Sequence, residues 1–444
     1  PYDELVAKYK MKLEQGGKAS GPFIPKPIPV SYGKNKMLDQ FKRSMNKLEK
    51  SIQATRKEEQ MEKYLTEEKG YEVHSILVNT GGFSKEELAK IEQHAHKLGV
   101  HSHTTIDATN DYYDRIVRYL IYGNILKNNT YPLSVSAERL SQALHMAEHA
   151  VKLKADAVAH GSTGAGNDQV RFDMVLQIMI PGIEIITPIR ELKLSREEEI
   201  SYLKSKGVDM NFEKALYSIN KGLWGTSVGG KETLHSKGLL PEEAWPTQLT
   251  KNGTEEVSLT FEKGELVAIN EQTFSHPVQA IQALQKIAGG YAIGRDIHVG
   301  DTIIGIKGRV GFEAAAPMII LKAHHALEKH VLTKWQLQWK DQLAQFYGNW
   351  LHEGQILDPV MRDIESYLKN SQQTVSGKVF VQLLPYRFQL IGIESPYDLM
   401  NSKFGKYGEM NAGFTAEDVR GFTRIFGNQV GIYHRVQQTA HEKD

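Results

Sequence analysis

The chain has 444 residues, enough for two or three domains of about 100–200 residues each. Hydrophobic residues make up 40% and charged residues 24%, and the net charge of +1 sets up no strong field toward nucleic acid or a membrane surface. The absence of cysteine excludes disulfides, thiolate catalysis and Cys-ligated metal centres together.

Residues 1–33 are rich in Gly, Pro and Lys and read as an extended arm. Over 34–68, Leu38, Phe41, Met45, Leu48 and Ile52 recur at three- and four-residue steps, the stripe of an amphipathic helix. That helix is basic, with eight Lys/Arg between Lys34 and Lys57 against Asp39 and Glu49. It reads either as a solvated face or as a docking element for an acidic partner. The N-terminal PYDELVAKYKMK lacks a signal peptide's apolar core and no run spans a membrane, so a cytoplasmic protein is expected.

From Tyr71, short apolar runs alternate with helical stretches. EVHSILVNT, HSHTTIDAT, ADAVAH and GIEIITPI read as strands. SKEELAKIEQHAHKLG, with Ser84 at its cap, and DYYDRIVRYLIYGNILK, SAERLSQALHMAEHAVKLK and DQVRFDMVLQIM read as helices. Such alternation predicts βαβ units and a parallel sheet, with ligands bound beyond the carboxyl ends of the strands. After residue 206 the regularity ends. VSLTFEKGELVAIN and KVFVQLLPYRFQLIGIES read as hairpins, IILKAHHALEKHVLTKWQLQWKDQLAQFYG as one long helix, and AEDVRGFTRIFGNQVGIYHRVQQ as a helix of an oligomerisation arm. The expected order is an atypical arm and basic helix (1–60), a nucleotide-binding α/β domain (61–205), an α+β synthetase and multimerisation domain (206–405) and a C-terminal oligomerisation arm (406–444).

The stretch AHGSTGAGNDQVRF, residues 159–172, carries the chemistry. A strand running into Gly161, Gly164 and Gly166 and then a helix presents unpaired backbone N–H groups and a positive helix end, which suit phosphate or carboxylate. Thr163, Asn167, Asp168 and Arg171 add donors and one acceptor, a set fitted to an amino-acid zwitterion. The alternatives are a tight structural turn and a plain N-cap at Asn167 or Asp168. His94, His96, His101 and His103 resemble a metal cluster, but His94 and His96 are two apart and on a helix point away from each other, which argues against one, and no metal ligand is assigned. His324, His325 and His330 sit among Lys and Glu and read as surface or inter-subunit residues. Trp224 reads as a packing residue of the pocket wall.

HGSTGAGNDQVRF resembles the aspartate- and citrulline-binding segment of the argininosuccinate synthase family. GYEV (70–73), YPLSVSAER (131–139), YSINKGLWGTSVGG (217–230), GRDIHVGDTIIGIKGRVGFE (294–313), KAHHALEKHVLTK (322–334) and ESPYDLM (394–400) resemble it in the same order, over 62–440. The resemblance implies an N-type ATP pyrophosphatase-like domain followed by a synthetase domain. It also implies a homotetramer that joins citrulline and aspartate with MgATP, giving argininosuccinate, AMP and pyrophosphate. The citrulline ureido oxygen attacks the α-phosphate, and the aspartate amine displaces AMP from the citrullyl adenylate. By resemblance, Thr163, Asn167 and Asp168 hold aspartate, with Asp168 on its ammonium. Tyr131, Ser136, Asn167, Arg171, Ser218 and Ser227 hold citrulline, and Gly161 and Val78 border ATP. Asn167, Asp168 and Arg171 are the candidate catalytic residues, acting by position and charge.

The sequence departs from the family in two places. A glutamate and a tyrosine that contact citrulline in many members correspond to Gly300 and Phe312, with Asp301 or Glu313 as candidate replacements for the carboxylate. The family's pyrophosphate loop, S-G-G-x-D-T-S, should fall near residues 53–60, where the chain reads QATRKEEQ. Loss of its amides predicts weaker ATP binding. Residues 1–60 then read as a replacement or an engineered fusion, and a catalytically inactive relative that engages a partner through them is the alternative function.

Overall fold

In the computed structural model of the chain, the described residues are 65–66, 69–97, 99–164, 166–192, 217–401, 405, 407–409 and 413–441. The arm at 1–60, its basic helix and the position of the phosphate loop lie outside them. All described residues belong to one compact unit.

The alternating half forms two parallel strand pairs. β1 (His74–Asn79) pairs with β2 (Ser102–Asp107) through α1 (Lys85–Lys97). Ser84 opens α1 as the sequence predicts: its Oγ accepts from Glu87 N at 3.2 Å, while Glu87 Oε2 accepts from Ser84 N at 2.7 Å, a reciprocal cap. A rod follows, made of α2 (Thr109–Tyr112), a π-helical stretch Tyr113–Val117 and α3 (Arg118–Tyr122), and then α4 (Ser134–Leu153). β3 (Ala157–Ala159) pairs in parallel with β4 (Glu184–Ile186) through α5 (Asp168–Met179). α6 (Pro188–Leu192) closes this half. The crossover helices force the parallel order, because each strand must return in the same direction.

The second half holds two antiparallel sheets. The first is ordered β10-β11-β6-β5, from β5 (Ser218–Gly222), β6 (Gly225–Gly229), β10 (Arg295–Asp301) and β11 (Lys307–Glu313). The second is ordered β13-β12-β7-β8-β9. Its strands are β7 (Glu255–Glu262), β8 (Glu265–Ile269), β9 (Gln272–Thr273), β12 (Gly377–Leu384) and β13 (Arg387–Glu394). Both predicted hairpins form. The β7–β8 turn is made by Lys263 and Gly264, at φ 47° and 82°, left-handed backbone for which glycine is suited. Val379, Val381 and Leu383 alternate along β12 on one buried face. They join one core with α7 (Pro277–Gly289), α8 (Ala315–Val331) and residues of the rod and α4, such as Ile116, Leu120 and Leu140. Each such side chain contributes about 1.5–3 kcal/mol through its burial.

The helix expected over IILKAHHALEKHVLTKWQLQWKDQLAQFYG is two helices, α8 and α9 (Lys334–His352). Thr333 breaks the run: its Oγ1 accepts from Gln336 N, and Gln336 Oε1 accepts from Thr333 N, a capping box inside a continuous apolar pattern. α10 (Pro359–Ser371) follows, capped by Asp358. The tail also divides at Gly427, into α11 (Ala416–Phe426) and α12 (Asn428–His441), and neither buries a residue.

His324 is not at the surface as its Lys/Glu-rich neighbourhood suggests. It lies on the inward stripe of α8 with Ile320, Leu327 and Val331 and is wholly buried. It contacts Asn124 Oδ1 at 2.6 Å and Gln372 Oε1 at 2.9 Å. Glu328 and Lys340, also wholly buried, pair beside it at 2.9 Å, and Gln372 Nε2 donates to Glu328 at 2.9 Å. Trp224 is a packing residue, its indole N–H donating to Pro132 O at 3.0 Å.

Candidate functional site

The carboxyl end of β3 leads into the loop the sequence singled out, and that of β1 into a second turn. After β1, Asn79 Oδ1 accepts from Gly81 N at 3.0 Å and fixes the turn. Thr80 Oγ1 donates to the buried Glu138 of α4 at 2.6 Å, and Thr80 O accepts from Leu223 N at 3.0 Å, joining this loop to the β5–β6 hairpin. Burial pushes the Glu138 carboxyl up. Val78 is the buried penultimate residue of β1, and Gly161 lies just beyond β3.

Loop 160–167 is anchored at both ends. His160 Nε2 meets Asp173 at 2.8 Å, and Arg190 holds the other oxygen of Asp173 at 2.6 Å. Burial keeps the His160 imidazole below its usual range. Asn167 occupies the cap position of α5, but its side chain makes no cap. Its Oδ1 accepts instead from Ile303 N at 2.8 Å, at the tip of the β10–β11 hairpin. A Cβ at Gly164 would meet only Arg190 Cγ at 3.6 Å, and one at Gly166 would meet nothing within 4 Å among the described residues. Neither position has a left-handed φ, so packing and backbone leave both glycines unexplained. Thr163 is half-buried on the same loop.

A continuous polar chain crosses the site. Ser227 Oγ accepts from Asn220 Nδ2 at 3.3 Å, and Asn220 Oδ1 accepts from Arg139 Nη2 at 2.7 Å. Arg139 Nε donates to Asp168 Oδ2 at 3.2 Å, and Arg171 Nη1 donates to Asp168 Oδ1 at 2.9 Å. Arg171 Nη2 then reaches Ser136 Oγ at 3.0 Å and His352 O at 2.8 Å, and Ser136 Oγ meets His352 Nδ1 at 3.0 Å. Asp168 thus faces two guanidinium groups, while its side chain stays 35% exposed. Arg171 is 2% exposed, and all three of its nitrogens are engaged within the protein. It anchors the site more than it offers free donors. Burial and the Arg171 charge hold the His352 imidazole down to about 3, against the pull of the nearby Asp301 carbonyl.

Tyr131 is buried with its hydroxyl accepting from Val135 N at 3.0 Å and Ser134 Oγ at 3.1 Å. Its ring packs on His298 and Phe312 at centroid distances of 5.2 and 5.4 Å. Ser218 and Ser227 lie on β5 and β6 two rungs apart: Ser218 pairs with Gly229, and Ser227 with Asn220. Ser227 is buried and Ser218 is exposed. Neither expected substitute for the carboxylate at 300 faces this side of the sheet. Asp301 is exposed and paired with Lys307 at 2.6 Å, and Glu313 is buried on Arg295 at 2.9 Å. The strand period of two puts residues 301 and 313 on the opposite face from 300 and 312. Arg139, Asn220 and His352 were not singled out in the sequence. Arg139 and Asn220 fall inside YPLSVSAER and YSINKGLWGTSVGG, but only contact across the fold reveals their pairing. His352 follows no motif.

Two family profiles match the chain. "Arginosuccinate synthase N-terminal HUP domain" covers residues 60–209, and "Arginosuccinate synthase C-terminal domain" covers 217–433. The chain is 36% identical over 374 residues to the argininosuccinate synthase of Methanocaldococcus jannaschii, spanning 84% of this chain and 93% of that protein. It is 35% identical over 385 residues to that of Xylella fastidiosa, with coverage of 84% and 93%. To that of Sulfurisphaera tokodaii it is 33% identical over 379 residues, covering 85% and 96%.

Proposed function

The chain belongs to the argininosuccinate synthase family, and on that premise we propose that it is an ATP-dependent ligase joining citrulline to aspartate. The observation that supports this best is the unbroken polar chain from Ser227 to His352, which gathers residues from β5, β6, α4, α5 and α9. In this reading Asp168 receives the aspartate ammonium on its exposed edge while the two guanidiniums fix the carboxylate. Thr163, Asn167 and the uncapped start of α5 face the aspartate carboxylates. Tyr131, Ser136, Ser218 and Ser227 surround citrulline, with Arg171 orienting Ser136. Gly161 and Val78 border ATP, which enters with Mg²⁺. The citrulline ureido oxygen displaces pyrophosphate at the α-phosphate, and the aspartate amine displaces AMP. No residue forms a covalent bond, so rate enhancement comes from alignment and fixed charge.

The test is direct. Protein mixed with MgATP, citrulline and aspartate should release AMP and pyrophosphate in equal amounts, and omission of either amino acid should stop net AMP formation. Absence of AMP from folded protein that still binds aspartate would overturn the ligase reading.

A further inference from the structure

One face of the sheet β10-β11-β6-β5 forms a single wall. By register, Ser227 stands opposite Asn220 and Phe312, His298 opposite Val310, and Gly300 opposite Gly308. Facing residues in an antiparallel pair share a side, and so do residues two apart on a strand. Ser218, Asn220, Ser227, Phe312, His298 and Gly300 therefore share one face, on which Tyr131 packs against His298 and Phe312.

Three observations single out His298. The residue is 6% exposed, yet its Nδ1 is buried without a partner, and the ring makes no hydrogen bond among the described residues. A buried polar nitrogen normally has a partner, so an unfilled one in a substrate wall points to a partner brought by ligand. The ring is stacked on Tyr131, with 23° between planes, which sets the plane in which its nitrogens lie. Gly300 is the third. A Cβ at 300 would collide with His298 Nε2, so the imidazole occupies the space that a side chain at 300 would use. Asp296, on the same face, is exposed and turned back to Ile297 N at 2.7 Å.

We propose that His298 is a specificity-determining residue of the citrulline site, its imidazole accepting a hydrogen bond from the citrulline α-ammonium, with glycine at 300 leaving room for the ring. The proposal rests on the ligase reading and deepens it. The imidazole does by lone pair what a carboxylate would do by charge. His298 and Gly300 then form a matched pair, and neither tolerates change alone.

The test is calorimetric titration of the full chain with L-citrulline, with 5-ureidopentanoate, which lacks the α-amine, and with L-aspartate. Wild-type protein should prefer citrulline over the deamino analogue by about tenfold or more, and H298A should erase that preference while binding the analogue and aspartate within about twofold of wild type. G300A should mimic H298A, and the double variant H298A/G300A should be no worse than H298A, because the added methyl then enters vacated space. If H298A keeps the preference, the assignment of His298 falls and the ligase reading stands. If wild-type protein binds neither citrulline nor its analogue, both fall. If H298A also loses aspartate, it has unfolded, and G300A decides: an unchanged citrulline preference there overturns the proposal.

Discussion

Arg171 and Asp168 lie one turn apart on α5 and are joined by an Nη1–Oδ1 contact of 2.9 Å, with the guanidinium buried and the carboxylate at the rim. The pair places a fixed cation behind an accessible anion, so the anion can meet a substrate ammonium without leaving its place. Replacing Asp168 by Asn leaves Arg171 underpaired. The expected cost is about 1–3 kcal/mol of unfolding free energy. Denaturant unfolding should show that modest loss. Steady-state kinetics should show a far larger fall in aspartate-dependent AMP release, of about a hundredfold or more. Equal effects on both would mean that Asp168 is only structural.

The Glu328–Lys340 pair is sealed inside the core with neither side chain exposed. Lys340→Met strands Glu328 among the amides of Asn124 and Gln372, and should lower stability by about 3–5 kcal/mol. The double variant K340M/E328L removes both charges and should recover much of the loss. Urea unfolding of the two variants checks this, and a double variant as unstable as the single one would contradict it.

His352 gives the fold a pH dependence. Its Nδ1 faces Ser136 Oγ and the Arg171 guanidinium, so it accepts and the ring is neutral. Its folded value of about 3 lies below the ordinary 6.5. Below about 6.5 the unfolded chain takes up a proton that the folded chain refuses, so stability drops as pH falls from about 6.5 toward 3, by about 3 kcal/mol at pH 4. His352→Gln should flatten that slope in unfolding curves taken between pH 7 and 4. An unchanged slope would assign it to other groups.

The C-terminal helices expose Val419, Phe422, Ile425 and Phe426 on α11, with the two phenylalanine rings stacked at 5.1 Å. A stripe of that size on one helix is expected to be covered by another copy, in line with the expected homotetramer. F422D/I425D should shift sedimentation to a smaller species, while citrulline and aspartate binding to each subunit persists. A wild-type chain that sediments as a monomer would remove the premise.

Much of the fold is legible in the residues. The period of two places β7 and β12, because there every second residue is buried and the core face alone sets the pattern. Breaks inside continuous apolar patterns escape detection: Thr333 and Gly427 divide helices that periodicity reads as unbroken, since such breaks are set by a few local backbone bonds and not by the stripe. β10 escapes too, because RDIHVGD at an edge mixes exposed charges with one buried histidine. In the site, the loop 160–167 and the serines of β5 and β6 stand out by motif. Arg139 meets Asp168 across 29 positions, Asn220 meets Arg139 across 81 and His352 meets Ser136 across 216, and no local pattern carries that.

The bond from Ile303 N to Asn167 Oδ1 latches the tip of the β10–β11 hairpin to the mouth of loop 160–167. The bond ties together a loop and a hairpin tip that lie 136 positions apart in the chain. Substituting Asn167 by Ala would release both segments at once, since Ile303 N would lose its acceptor. The side chain that spacing offers as a helix cap serves instead as a clasp between loop and hairpin.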